Sequence, residues 1–441
     1  MTITWLALVA VFAAGVHGLA YVYMRSPASP DAAEYVALGK SLATRGELVL
    51  PTGERAKRMP AYPWLISLFY HGQSDEKLEN QVLAAQWLLA VAVSILLAVI
   101  SWRLADLRAG ILAGMTSALY APHLYLQTLC LSETLLIFFL VIALASYLFF
   151  LTLENPAKWA ALILAGIALA AAAITRANAA VLALPFALDA ALRHGPPKIR
   201  SLQALILLLP AALALMGWGM RNKREIGDFK ISTIGGLNFY LGHNEHYAHD
   251  PGLANADYAA FDRLRRETGA PEIEIDRMLF SRGKQFAGEH PREELINVFR
   301  KIAIYHTSTT TTAAPSLLVL LLGMIVWTGR RTVSHPPVQR TFLQTTRIAL
   351  LGTGIIWIAV FWQTLRPWIN PPLLVPLGIV SMILLKTRLQ VRLLFIALYL
   401  SELLVAISFI PLERLRWTVD FLLILSIAVA LSRICRWLES D

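Results

Sequence analysis

The feature that most constrains this chain is its series of long, nearly charge-free apolar runs, starting with residues 5–24 and recurring to the C-terminus. Runs of this length span about 30 Å of hydrocarbon when helical. In hydrocarbon the backbone must satisfy its own hydrogen bonds, so these runs have to be helices. The remaining runs read as 81–101, 109–128, 132–153, 158–175, 178–192, 201–219, 313–329, 345–363, 369–385, 391–410 and 417–436. The expected architecture is an all-α polytopic membrane protein of about twelve transmembrane helices, eleven to thirteen allowing for short or Pro-bounded runs. Composition agrees: 57% of the 441 residues are hydrophobic and 15% charged, too little charge to cover a soluble surface of this size.

The first run has no Lys or Arg before it and exceeds the apolar stretch of a secretory signal, so it reads as a retained span. Orientation follows from the basic residues of the short loops. Alternate loops carry Arg103 and Arg108; Lys158; Arg193, Lys198 and Arg200; Arg330, Arg331 and Arg340; Lys386, Arg388 and Arg392; and finally Arg433 and Arg436. The intervening loops carry fewer, which places the first series and both termini in the cytoplasm. The net charge of +10 is thus distributed as in a membrane protein that contacts anionic lipid, and not as a nucleic-acid surface. Cys130 and Cys435 fall near opposite faces and do not pair.

Two larger segments, 25–80 and 220–312, then lie outside the cell membrane. The expected division is a core of residues 1–219 that includes the loop 25–80, an outer region 220–312, and C-terminal spans 313–441. In the first loop Ser29-Pro30-Asp31 reads as a helix start, with Ser29 as N-cap. Tyr35, Leu38 and Leu42 follow on one face, as in an amphipathic helix on a membrane surface. A short apolar helix is expected near 63–70, loop or short strand at 227–240, and polar helix over 254–299.

Several residues could carry chemistry. Asp31, just beyond the first span, could accept a proton from a hydroxyl; the plainer alternative is a first-turn acid complementing its helix dipole. Glu133, in Leu131-Ser132-Glu133-Thr134, opens an apolar run and allows the same two readings. Prolines 60 and 63 stiffen the chain around Arg58 and Tyr62. With Arg176 and the Arg221, Lys223, Arg224 group, Arg58 could form a phosphate clamp at the membrane surface. Singly, each could instead snorkel to the interface. His243, His246 and His249 are evenly spaced before Asp250; His243 and His246 are the candidates should a divalent metal bind, with surface histidines as the default. Glu402 and Asp420 lie inside expected spans, and Asp420 is one turn from Arg416.

The series Asp31, Tyr35, Leu38, Gly46, Arg58, Pro60, Tyr62-Pro63 after one span resembles the first outer loop of the GT-C superfamily of membrane glycosyltransferases. The likeness is to the bacterial branch similar to lipid A aminoarabinose transferase and the protein O-mannosyltransferases. Ser132-Glu133, Thr175-Arg176, Trp218 with Arg221-Asn222, then Gly235-Gly236 and Tyr240-Leu241-Gly242 agree in order and side, and Glu413-Arg414-Leu415-Arg416 resembles a late basic loop. Leu415 and Asp420 stand where members often have Tyr and Pro.

The resemblance implies a sugar transfer from a polyprenyl-phosphate donor to a lipid, glycan or protein acceptor, on the periplasmic face of a bacterial inner membrane. It implies Asp31 as base; Glu133 is read beside it as a second acid that positions the acceptor or the arginine side chains. Arg58, Tyr62, Arg176, Arg221, Asn222, Tyr35, Arg414 and Arg416 would bind donor phosphate or substrate. Some members use a divalent metal and others none. A transporter or lipid-linked-sugar flippase is the main alternative; it would need broken helices or ionisable groups near the midplane and an internal repeat, and no repeat is visible here.

Overall fold

A computed structural model of the chain describes residues 2–24, 29–245, 247, 257–306, 374–384 and 389–440. The expected spans 313–329 and 345–363, the start of 369–385, and His246, His249 and Asp250 lie outside the described residues.

Among the described residues the structure is helical throughout, without strands. Six helices are long and apolar enough to cross a membrane. They are α1 (Thr2–Tyr23), α4 (Asp75–Leu104), α7 (Glu133–Phe150), α8 (Ala157–Thr175), α10 (Pro197–Ile226) and a later helix, Leu389–Ser408. Between α1 and α4 come α2 (Pro30–Arg45) and α3 (Ala61–Ser67). Shorter apolar helices complete the bundle: α5 (Leu107–Leu119), α6 (Ala121–Leu126) and α9 (Ala183–Leu192). The chain is an integral, multi-pass membrane protein.

Two expected spans break. Residues 109–128 form α5 and α6, because Pro122 lacks an N–H and its ring clashes with the carbonyl one turn back. Residues 178–192 begin as a 3₁₀ turn, Ala177–Leu182, before α9. Conversely, α10 outruns its expected end at 219 and carries Arg221, Lys223 and Arg224 as a helical extension capped by Gly227 at φ 80°. The stretch expected as loop or strand at 227–240 ends in helix α11 (Gly235–Gly242). The polar region is three helices, α12 (Ala260–Thr268), α13 (Glu272–Glu289) and α14 (Pro291–His306). Then come α15 (Leu374–Ile383), α16 (Leu389–Ser408), α17 (Glu413–Trp417) and α18 (Phe421–Ser440).

The bundle core runs through α4, α7, α8, α9, α16 and α18. Small residues set the closest approaches. A Cβ on Gly166 would meet the Ile206 carbonyl oxygen at 2.2 Å, so α8 and α10 pack backbone to backbone there. Leu202, Leu205, Leu209, Leu213, Met216 and Met220 of α10 stay exposed, a continuous apolar stripe suited to lipid.

The first loop follows its sequence pattern. Ser29 Oγ accepts from the Ala32 amide at 3.2 Å, Pro30 fills the first turn, and Gly46 closes the helix in the left-handed region. Gly39 lies so close to Ile66 that a Cβ would fall 2.4 Å from its Cγ2; α2 and α3 are thereby locked together. Ala32, Tyr35 and Val36 of α2, Tyr62 and Ile66 of α3, and Leu78 and Val82 of α4 share one apolar cluster. That cluster fixes the first turn of α2, and Asp31 with it.

Candidate active site

Asp31 is the second residue of α2. Its Oδ1 accepts from Arg58 Nη2 at 2.5 Å and its Oδ2 from Arg414 Nη1 at 2.8 Å. The two arginines come from opposite ends of the sequence, and each takes one carboxylate oxygen. Burial pushes the Asp31 pKa up, but the charges and hydrogen bonds of Arg58 and Arg414 outweigh it and hold the carboxyl well below the usual carboxylate range.

Arg58 is also held from its other side. Its Nε donates to Glu34 Oε2 at 2.7 Å, and Lys57 Nζ donates to Glu34 Oε1 at 2.6 Å. Its guanidinium lies over the Tyr35 ring, 5.3 Å from the centroid. Glu34 is one helical turn from Asp31, so both carboxylates face Arg58.

A second acid sits behind this pair. Glu133 opens α7, is buried, and accepts from Arg176 Nη1 at 2.5 Å. Arg414 Nε approaches the same Glu133 oxygen at 3.8 Å. Next to Arg176, Asn178 donates to Glu402 of α16 at 2.8 Å. The result is a ribbon of alternating charge from Lys57 through Glu34, Arg58, Asp31 and Arg414 to Glu133 and Arg176. Exposure decides where a ligand can enter it. The side chains of Asp31 and Arg414 are 26% and 30% accessible, against 12% for Arg58 and 1% for Glu133.

Other sequence candidates lie apart. Tyr62 is fully buried; its hydroxyl donates to Gln86 Oε1 at 2.5 Å, and Gln86 in turn donates to the Gln127 and Leu129 carbonyls. The Tyr35 hydroxyl is 3.2 Å from Ser132 Oγ, and the two tyrosine rings meet edge to face. Both hold α2 and α3 onto the bundle beneath Asp31. Arg221 donates to the Arg55 and Leu48 carbonyls and lies over Trp218, while Asn222 donates to the Lys230 carbonyl. These two shape the loop that leads into Arg58, and no described contact joins them to Asp31. Arg416 is fully buried and paired with Asp420 at 3.2 Å, away from the cluster.

His243 is buried, with Nδ1 2.7 Å from Glu294 Oε2 and Nε2 3.1 Å from the Lys301 ammonium. A cation against its second nitrogen does not fit a metal ligand. Around Asp31 the carboxylates are taken by guanidinium groups. Among the described residues no three His, Cys, Asp or Glu side chains converge on a metal-sized space. The described residues do not fit a divalent ion.

Glu34 and Asn178 had no assigned role in the sequence, and Glu402 stood out there only as an acid inside an expected span. Glu34 carried a usable signal, its one-turn spacing from Asp31. Asn178 with Glu402 did not, because their contact joins residues 224 apart.

The structure is similar to the crystal structure of the oligosaccharyltransferase of Archaeoglobus fulgidus in complex with Zn and sulfate: 13% identity over 98% of this chain and 50% of that one, TM-score 0.53. The same archaeal enzyme, AglB, in complex with an inhibitory peptide and a dolichol-phosphate gives 12% identity, 99% and 52% coverage, and a TM-score of 0.51. ArnT from Cupriavidus metallidurans bound to undecaprenyl phosphate gives 15% identity, 99% and 79% coverage, and a TM-score of 0.42. No family model matches the chain, and no curated protein matches it in sequence. The chain spans about half the length of the archaeal structures it matches. The chain shares the fold of the archaeal oligosaccharyltransferase.

Proposed function

We propose that this chain is an integral-membrane glycosyltransferase that moves a sugar from a polyprenyl-phosphate donor to a lipid, glycan or protein acceptor. The observation that carries this reading is the Asp31 carboxylate held between Arg58 and Arg414, both oxygens engaged, with Arg414 the more exposed of the two arginines. Dolichol-phosphate, the lipid in the AglB structure, has the carrier-phosphate chemistry this pair of arginines would suit. The basic-loop pattern supports a site on the non-cytoplasmic face, with both termini cytoplasmic.

The proposed step is a single displacement with inversion. An acceptor oxygen bonds to C1 of the sugar as the C1–O bond to phosphate breaks, and the departing lipid phosphate keeps that electron pair. The acceptor proton goes to an Asp31 oxygen. The phosphate, with a second pKa near 6, needs charge stabilisation more than a proton, and guanidinium groups supply it bidentately.

In the unliganded cluster Asp31 is a weak base, because two arginines stabilise its charge. A donor phosphate competes for the same arginines. Arg414 is the more exposed of the two and reaches it first. Once Arg414 turns to phosphate, one Asp31 oxygen is freed and its basicity rises. Donor binding thereby switches on the base beside the bond it must attack. Glu133 holds Arg176 and the rear of Arg414 in place.

The test is a lipid comparison of cells with and without the gene product. The proposal expects an accumulated polyprenyl-phosphate sugar and a missing envelope glycan in its absence. Identical donor pools and identical glycans would overturn it, and a change in the sidedness of the donor without a change in glycan would point to a flippase.

A further inference from the structure

Arg414 reaches Asp31 only if the chain leaving α16 is held in place. Three neighbouring carbonyls of that chain lie against the polar helices α11 and α14, and that of Ile407 is hydrogen-bonded. Lys301 of α14 is fully buried, and its Nζ donates to the Ile407 carbonyl at 3.2 Å. His243 Nε2 lies 3.2 Å from the Ser408 carbonyl and 3.1 Å from Lys301 Nζ. A Cβ on Gly242 would fall 2.3 Å from the Phe409 carbonyl oxygen, so only glycine lets the end of α11 approach. Beyond these carbonyls the chain is anchored by side chains. Ile410 and Leu412 pack in one apolar cluster with Leu237 and Leu241 of α11, Phe261 and Leu264 of α12, and Ile275 and Leu279 of α13. Phe409 meets Phe239 edge to face, centroids 6.1 Å apart.

A buried lysine without a directly bonded carboxylate is costly unless its ammonium has work to do. Here it lies at the C-terminus of a 20-residue helix, where the last carbonyls have no partner within the helix and the dipole favours a cation. Glu294 adds charge from behind His243. With the ring proton on Nδ1 facing Glu294, His243 Nε2 accepts from Lys301 and holds its ammonium toward the Ile407 carbonyl, without donating to Ser408. Burial lowers the Lys301 pKa to about 8, with Glu294 opposing, so the ammonium persists at neutral pH.

The geometry points to Lys301, His243 and Gly242 as positioning residues: they clamp residues 407–409 and so set Arg414 against Asp31. This deepens the proposed function, since it makes the 235–306 helices the support of the donor-phosphate arginine. Its test does not depend on that reading, because the position of Arg414 is measurable without turnover.

The full-length protein carrying Asp31→Cys and Arg414→Cys, in lipid nanodiscs, is treated with a short bifunctional methanethiosulfonate; native Cys130 and Cys435 are both buried. The cross-link should form readily in this background. Adding Lys301→Met or Gly242→Ala should lower its yield about fivefold or more. Adding Lys284→Met, at an exposed position on α13, should leave it unchanged. Gly242→Ala carries the test alone if Lys301→Met does not insert. An unchanged yield in Gly242→Ala, or an equal fall in Lys284→Met, overturns the clamp. In the otherwise wild-type protein, a lost clamp should weaken donor binding with the acceptor KM unchanged; a merely destabilised fold would lower the active fraction and leave both constants alone.

Discussion

Asp31→Asn should reduce sugar transfer by about 10²–10⁴-fold, the range expected for losing a general base, which corresponds to about 3–5 kcal/mol of transition-state stabilisation. The substitution preserves shape and removes charge. Arg58 keeps Glu34, and Arg414 keeps its neighbour Glu133, so neither guanidinium is stranded. Asp31→Asn should keep the shape of the first turn of α2, and insertion into the membrane should be normal. The measurement is restoration of the missing glycan, by mass spectrometry, in cells that carry only the variant. Restoration at wild-type rate would remove Asp31 from the chemistry. Asp31→Glu should do little better, because an added methylene displaces the carboxylate from the position set by Ser29 and Pro30.

Arg416→Met should unfold the protein where Arg414→Met should only inactivate it. Arg416 and Asp420 are both fully buried, 3.2 Å apart. Arg416 Nη1 also donates to the Tyr305 carbonyl at 2.8 Å, and the Tyr120 hydroxyl donates to Asp420. Removing the arginine leaves an uncompensated buried carboxylate, a loss of about 3–5 kcal/mol. The double change Arg416→Met with Asp420→Leu should recover most of that, because no charge is then stranded. Thermal unfolding in detergent checks both, and an Arg416→Met protein as stable as wild type would show the pair to be dispensable. Arg414→Met, with 30% of its side chain accessible, should unfold near the wild-type temperature while transfer is lost.

These two arginines show where sequence reading stops. Both belong to one basic stretch and read alike. In a five-residue helix, positions two apart point about 200° from each other. Arg414 therefore faces Asp31 and Arg416 faces the bundle interior, and nothing local says which is which. Arg221 failed in another way. It lies among basic residues that looked like a clamp, but α10 continues as helix past 219 and delivers it to backbone carbonyls of the 48–55 loop. His243 read as a surface or metal-seeking residue because its neighbours, Lys301 and Glu294, are more than 50 residues away.

What was legible had a periodic or positional cause. Apolar length exposed the six membrane-length helices of the described residues, since only helices of that length satisfy their backbone in lipid. The start of α2 was legible because Ser, Pro and Asp have fixed uses in a first turn. Arg58 was legible as part of a stiff, Pro-flanked segment close to Asp31 in sequence. Helix breaks at Pro122 and at the 177–182 turn were not, because hydropathy alone does not register a change of helical geometry.

The central claim is that the Asp31–Arg58–Arg414 cluster lies on the outer face of the membrane, where a lipid-phosphate sugar would meet its acceptor. Ala43 is exposed on the same helix as Asp31 and away from the cluster, and both native cysteines are buried. An Ala43→Cys protein in intact spheroplasts should react with a membrane-impermeant maleimide as fully as after permeabilisation. Labelling that requires permeabilisation would put α2 and Asp31 in the cytosol and contradict the account.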